Sequence, residues 1–281
     1  MEIKASDVKE LRQKTGAGMM DCKKALAESG GDFAKAEKLL KELGLAAAAK
    51  RSGRATNEGR VFTHVTDSAA AMVEISCETD FVARNDDFVT LGNAIAADMA
   101  ATGKDISDDA YQNRLKDAMV TIKENMTLSR GIVLKTAAGQ MIRDYIHGDS
   151  GKIGVLVKVA AADPSKLADE RLKAFAFDTA LHVAAFRPTF LSAEHADTAY
   201  VAEQQEIFVA QAKQLGKPEN VTQGIAAGKL KKHLAEICLL EQGFVKDEKR
   251  SVSQAATDLG KEIGTTVDVV EFAYYMVGED T

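Results

Sequence analysis

Five histidines, three cysteines and one glycine pair are the residues with which this chain could carry out covalent or phosphate chemistry. A cysteine nucleophile needs a base within hydrogen-bond reach, and Cys77 with His147 is the formal pair. Nothing in the sequence brings the two together. His64, His147, His182, His195 and His233 show no HExxH or related zinc spacing. Gly16-Ala17-Gly18 lacks the third glycine and the preceding strand of a dinucleotide-binding loop, and the Walker pattern is absent. Neither cofactor nor metal is expected, and covalent catalysis is not expected. His182, inside Leu181-His182-Val183-Ala184-Ala185, reads as a hydrogen-bonded core histidine. His147 closes Tyr145-Ile146-His147-Gly148, where its ring can bond a turn.

A different chemistry is legible at Thr79-Asp80-Phe81-Val82, within the stretch CETDFVARNDDF from Cys77 to Phe88. Ala71 to Ser76 before it is strand-like. Val82, Phe88, Val89, Leu91, Ile95 and Met99 after it recur at helical intervals up to Gly103. A carboxylate followed by a large ring at such a junction can act as a probe for a partner's site. The same residues also fit ordinary anatomy, with Thr79 or Asp80 as a helix cap and Phe81 folded into the core. On these residues alone the second reading is the commoner one.

Bulk properties narrow the classes. The formal charge of −6 and pI near 5.5 argue against a main role in gripping nucleic acid, and no direct nucleic-acid partner is expected. No apolar run approaches the roughly 18–20 residues that span a bilayer, so no membrane is expected. Cys22, Cys77 and Cys238 are odd in number and far apart. They point to reduced thiols and a cytoplasmic protein. The chain starts MEIKASDVKEL without a charged-then-apolar leader, in keeping with that expectation.

The elements that must position these residues follow an α+β pattern. Three short helices come first: one from an Asp7–Glu10 capping box, one over 20–28, and one striped by Phe33, Ala36, Leu39, Leu40 and Leu43 that Gly44 ends. The alanine run and the charged stretch Lys50 to Arg54 read as a helical or flexible linker. Strands over 61–66 and 71–77 form a hairpin around Asp67-Ser68. Helices over 81–101 and 108–123 lead to strands over 128–135, 140–147 and 153–159. A long helix opens at Pro164 and ends near Phe186. Helices over 197–215 and 219–239, broken at Gly216-Lys217-Pro218, form a projecting antiparallel hairpin. A helix over 252–263 and a strand-like 266–276 finish the chain.

In this order the motifs closely resemble the elongation factor Ts family of bacteria and organelles. TGAGMMDCKKAL from Thr15 resembles its N-terminal signature, and CETDFVARNDDF its second. YIHG followed by KIGVLVKV resembles its core strand pair. LHVAAFRP and LKKHLAEICLLEQGFV are similar to its later helices. The resemblance implies a ubiquitin-associated-like three-helix domain over 1–45, a linker over 46–59 and a core subdomain over 60–139. It further implies a second core subdomain over 140–196 and 238–265, a coiled-coil hairpin over 197–237 used for self-association in some members, and a C-terminal module over 266–281.

It also implies an activity, guanine-nucleotide exchange on elongation factor Tu. By that analogy Phe81 wedges into the partner's G domain and Asp80 supports the displaced arrangement. Thr79 to Val82 then dislodge the partner's Mg²⁺. Met19, Met20, Lys23, Ile122 and His147 are the further contacts implied. The chain departs from the family pattern at Lys123, where Ile122-Lys123-Glu124-Asn125 has lysine in a glycine position. Ser129-Arg130 stands for two arginines, and Gly243 for a proline. These departures leave open a second function, an adaptor that binds the same partner without exchange.

Overall fold

The computed structural model describes residues 3–216 and 218–279. Lys217 of the expected helical break, Asp280 and Thr281 of the expected C-terminal module, and Met1 and Glu2 lie outside them. Helices α1 (Ala5–Thr15), α2 (Met19–Glu28) and α3 (Phe33–Arg51) lead into β1 (Glu58–Val65) and β2 (Ala69–Cys77). Next come α4 (Asp80–Ala83), α5 (Asp86–Thr102), α6 (Asp109–Ile122), β3 (Met126–Lys135), β4 (Gln140–His147) and β5 (Ile153–Ala161). The rest is α7 (Glu170–Phe186), α8 (Thr198–Lys213), α9 (Glu219–Ile237), β6 (Gly243–Phe244), β7 (Asp247–Ser251), α10 (Val252–Ile263) and β8 (Val267–Met276). The fold is α+β.

Two antiparallel three-stranded sheets, ordered β1-β2-β3 and β4-β5-β8, form the centre. Alternation along their middle strands explains the layering, because successive side chains in a strand point to opposite faces. In β2, Ala71, Val73, Ile75 and Cys77 face a core shared with α5 and α6. Ala70 and Met72 face the other way and meet Val61, Ile142 and Leu156 between the sheets. In β5, Val155, Val157, Val159 and Ala161 pack with α7 and α10. The order of layers is therefore helices, sheet, sheet, helices. Polar bridges close the seam: Thr63 Oγ1 donates to Asp144 at 2.6 Å, and Arg130 pairs with buried Glu74 at 2.7 Å while donating to the Met276 carbonyl at 2.6 Å.

The N-terminal helices have their own small core, with Val8, Leu11, Cys22, Leu26, Ala36 and Leu40. Several expectations need correcting. The Asp7–Glu10 capping box does not form; the N-cap is Lys4, three residues earlier, and Asp7 lies in the first turn of α1. Gly44 does not end α3. The helix continues through the alanine run to Arg51, and Gly44 is where it packs tightest, since a methyl there would overlap the Val120 side chain of α6. The first part of the expected linker, residues 46–51, is thus helix, and 52–57 connect it to β1. Ala48 reaches the core of the first sheet, and Arg51 donates to the Met119 carbonyl at 2.9 Å.

The expected helix over 81–101 is two helices, α4 and α5, because Asn85 caps the second by accepting from Asp87 N and Phe88 N. Pro164 opens only a 3-10 turn over 164–168. Asp169 then caps α7 separately by accepting from Arg171 N. The C-terminal segment is not a separate module. β8 pairs with β5 along its length, and its Val267 and Val269, like α10, complete the second core. An apolar strand of that length gains stability only by pairing and burial.

Candidate partner-binding site

Thr79 sits where β2 ends and α4 starts. Its backbone is extended (φ −130°, ψ 155°) and its hydroxyl accepts from Val82 N at 3.3 Å, the geometry of an N-cap. The cap role read from the sequence is therefore present. The companion expectation, Phe81 in the core, is not: the ring is 82% exposed on a one-turn helix. Val82 packs against the first core and Ala83 is buried. The turn thus anchors two small aliphatic side chains and leaves the large one in solvent. Asp80, also at the tip, pairs with Arg84 at 3.5 Å, an exposed interaction that contributes little to stability.

What holds this junction comes from the segment between α6 and β3. Both carboxylate oxygens of Glu124 are engaged by Thr79: Oε2 accepts from the backbone N at 3.0 Å and Oε1 from the hydroxyl at 2.7 Å. One residue on, Asn125 N donates to Glu78 Oε1 at 2.6 Å, and Asn125 Nδ2 donates to the carbonyls of Arg54 (2.7 Å) and Ser52 (3.3 Å). Glu78 also pairs with Arg54 at 3.2 Å. The Asn125 N–H and then Arg54 hold the Glu78 carboxyl below its usual range.

Sequence reasoning missed Glu124 and Asn125 as structural partners of the run. They lie 45 and 47 positions from Thr79 and Glu78, and no local pattern reports such a bond. The Lys123 departure also takes on a physical meaning. Lys123 is the C-cap of α6 in the left-handed region (φ 66°), with its N–H bonded to the Met119 carbonyl. A glycine adopts that conformation without steric cost, so lysine keeps the turn at a penalty of about 1–2 kcal/mol.

The other expected contacts are distributed. Ile122, the last residue of α6, is half-buried against the first core, close in sequence to Glu124. Met19 (44% exposed), Met20 (73% exposed) and Lys23 lie on α2. His147 ends β4 in the second sheet, where its Nδ1 lies 2.9 Å from Tyr145 Oη. Among the described residues no hydrogen bond, ion pair or ring contact joins these five to the 79–82 run. A cavity of about 720 Å³ lies not at the run but between α2, α3 and α6, over Leu40, Leu43 and Val120. Its rim mixes Asp21, Lys24, Glu28 and Lys41.

Among the described residues no cysteine is paired with a histidine. Cys77 is buried; burial, reinforced by the charge of Glu124, pushes its thiol up to about 12, and its sulfur contacts the Thr79 carbonyl rather than a histidine. His182 is a satisfied core residue. Val245 N donates to its Nδ1 at 3.2 Å, so Nε2 carries the proton and donates to Gln242 Oε1 at 2.9 Å. Among the described residues no helix is long and apolar enough to cross a membrane.

Fold and site define a class: an α+β protein that uses a capped junction to hold an aromatic ring in solvent, with no cysteine–histidine pair beside it among the described residues. The family model described as Elongation factor TS matches residues 78–279, from Glu78, just after β2, to just past β8. Elongation factor Ts of Borrelia recurrentis is 49% identical over 278 residues, covering 99% of this chain and all of that protein. The Treponema denticola protein of the same name is 46% identical over 280 residues, 99% of each chain. That of Borreliella burgdorferi is 45% identical over 276 residues, 98% of this chain and 99% of that one. The chain belongs to the elongation factor Ts family.

Proposed function

We propose that this chain is the guanine-nucleotide exchange factor of its elongation factor Tu, and that Phe81 is the group that opens the partner's nucleotide site. The observation that carries the reading is the 82% exposure of Phe81 on a capped turn whose Val82 packs against the core and whose Ala83 is buried. Hiding a phenyl ring from water is worth about 2 kcal/mol, so a ring held in solvent is a binding resource left unspent in the free protein.

The mechanism is linkage. A factor that binds the nucleotide-free form of its partner more tightly than the GDP form weakens GDP binding by the same ratio. Phe81 enters between helices of the partner's G domain, and Asp80 supports the shifted arrangement. The Mg²⁺ that neutralises the diphosphate is displaced, and GDP leaves. Thr79 and Val82 fix the approach of the turn. Met19, Met20 and Lys23 on α2, Ile122, and His147 at the end of β4 extend the contact surface. The chain needs no metal of its own for this and carries out no covalent step. Self-association through the α8–α9 hairpin fits the same reading.

The test is release of a fluorescent GDP analogue from elongation factor Tu after addition of excess unlabelled nucleotide. Acceleration by the chain is expected. Binding without acceleration would identify an adaptor and overturn the exchange reading.

A further inference from the structure

The proposal that follows rests on the role given to Phe81 above. The helix that carries the ring, α4, has four residues. A single turn has no stability of its own, so its direction depends on what grips its first residue. Every polar atom of Thr79 is engaged. Its N–H and O–H go to the two oxygens of Glu124. Its carbonyl accepts from Ala83 N at 3.2 Å and lies 3.2 Å from the Cys77 sulfur.

A carboxylate can only accept, so the Thr79 hydroxyl must turn its hydrogen towards Glu124. That rotation leaves an oxygen lone pair facing the helix, where Val82 N–H donates to it. Glu124 therefore sets the cap geometry as well as anchoring the chain. Its own arm starts from the left-handed turn at Lys123, and the next residue ties Glu78 to the end of α3 through Ser52 and Arg54.

We propose that Glu124 is a positioning residue for exchange: it aims Phe81 by holding Thr79, without touching the partner's nucleotide. The experiment is a cycle of Glu124→Ala and Phe81→Ala, singly and together, in the nucleotide-release assay, with amide hydrogen exchange of residues 80–83 measured on the free chain. Glu124→Ala is expected to slow release by roughly tenfold, from loss of two charge-assisted hydrogen bonds. The double variant should be no slower than Phe81→Ala alone, because both act through one ring. Glu124→Gln, which keeps an oxygen for Thr79 N–H but meets the hydroxyl with a donating, uncharged amide, should restore only part of the rate, between Glu124→Ala and the parent. The amides of Val82 and Ala83 should exchange faster in free Glu124→Ala.

Multiplying effects of the two alanine substitutions would overturn the proposal, as would a Glu124→Ala variant that releases nucleotide at the parent rate. If Glu124→Ala loses its far-ultraviolet helical signal, Glu124→Asp replaces it, with the same outcomes deciding. Should the parent chain itself fail to accelerate release, the exchange reading fails separately. Unchanged amide protection in the free chain would then still overturn the role of Glu124.

Discussion

Phe81 and Lys123 are each placed against local preference, one a large ring in water and the other a lysine in a glycine conformation. Removing an exposed ring leaves a fold intact, so Phe81→Ala should change unfolding free energy by no more than about 0.5 kcal/mol. Nucleotide release should nonetheless slow by roughly tenfold or more, the usual scale for an aromatic anchor at an interface. Asp80→Ala should slow release with equally little effect on stability, since its ion pair with Arg84 is exposed. Lys123→Gly should do the opposite. It should raise the thermal midpoint through about 1 kcal/mol of relieved backbone strain, measurable by calorimetry. The cap at Thr79 was legible from its residue type. The outward ring was implied only by the family resemblance, because the local residues by themselves offer both a core and a solvent position for Phe81. The bond from Glu124 that fixes the junction spans 45 positions and leaves no local trace.

At the level of elements, packing overrode several punctuation signals. Gly44 looks like a helix stop, but in α3 it is the point of closest approach to α6. An exposed Gly→Ala change inside a helix normally stabilises by about 1 kcal/mol. Gly44→Ala should instead lower the denaturation midpoint, and Val120→Ala in the same chain should recover part of the loss by making room. If Gly44→Ala alone raises the midpoint, the close packing of α3 on α6 is wrong. Asn85, read within one continuous helix, proved to cap α5 and to detach α4 as a separate turn. Alternation in the middle strands and the apolar stripes of the helices were readable because burial imposes them residue by residue. The pairing of β8 with β5, 106 or more positions apart in sequence, was not, and the segment was read as a separate module.

Across the whole molecule, two central sheets with helices on their outer faces carry the exposed Phe81 of the 79–82 turn, Met19 and Met20 on α2, and His147 at the end of β4. Integrity of the second core depends on neutral His182. Burial holds its ring below the ordinary value of 6.5, against a weaker opposing effect of the hydrogen bond it donates to Gln242. The unfolded chain therefore takes up this proton first as pH falls. Its contribution is present above about 6.5 and is lost progressively below it. Denaturant midpoints at pH 7 and pH 5 should show that fall, and His182→Gln should flatten it. The central claim, however, is that a single exposed ring converts binding into nucleotide release. Its most direct test compares release of labelled GDP from elongation factor Tu in the presence of the parent chain and of Phe81→Ala, each at saturating concentration. The parent should accelerate release, and the variant should do so at least about tenfold less while melting at the same temperature. Equal rates for the two would contradict the account.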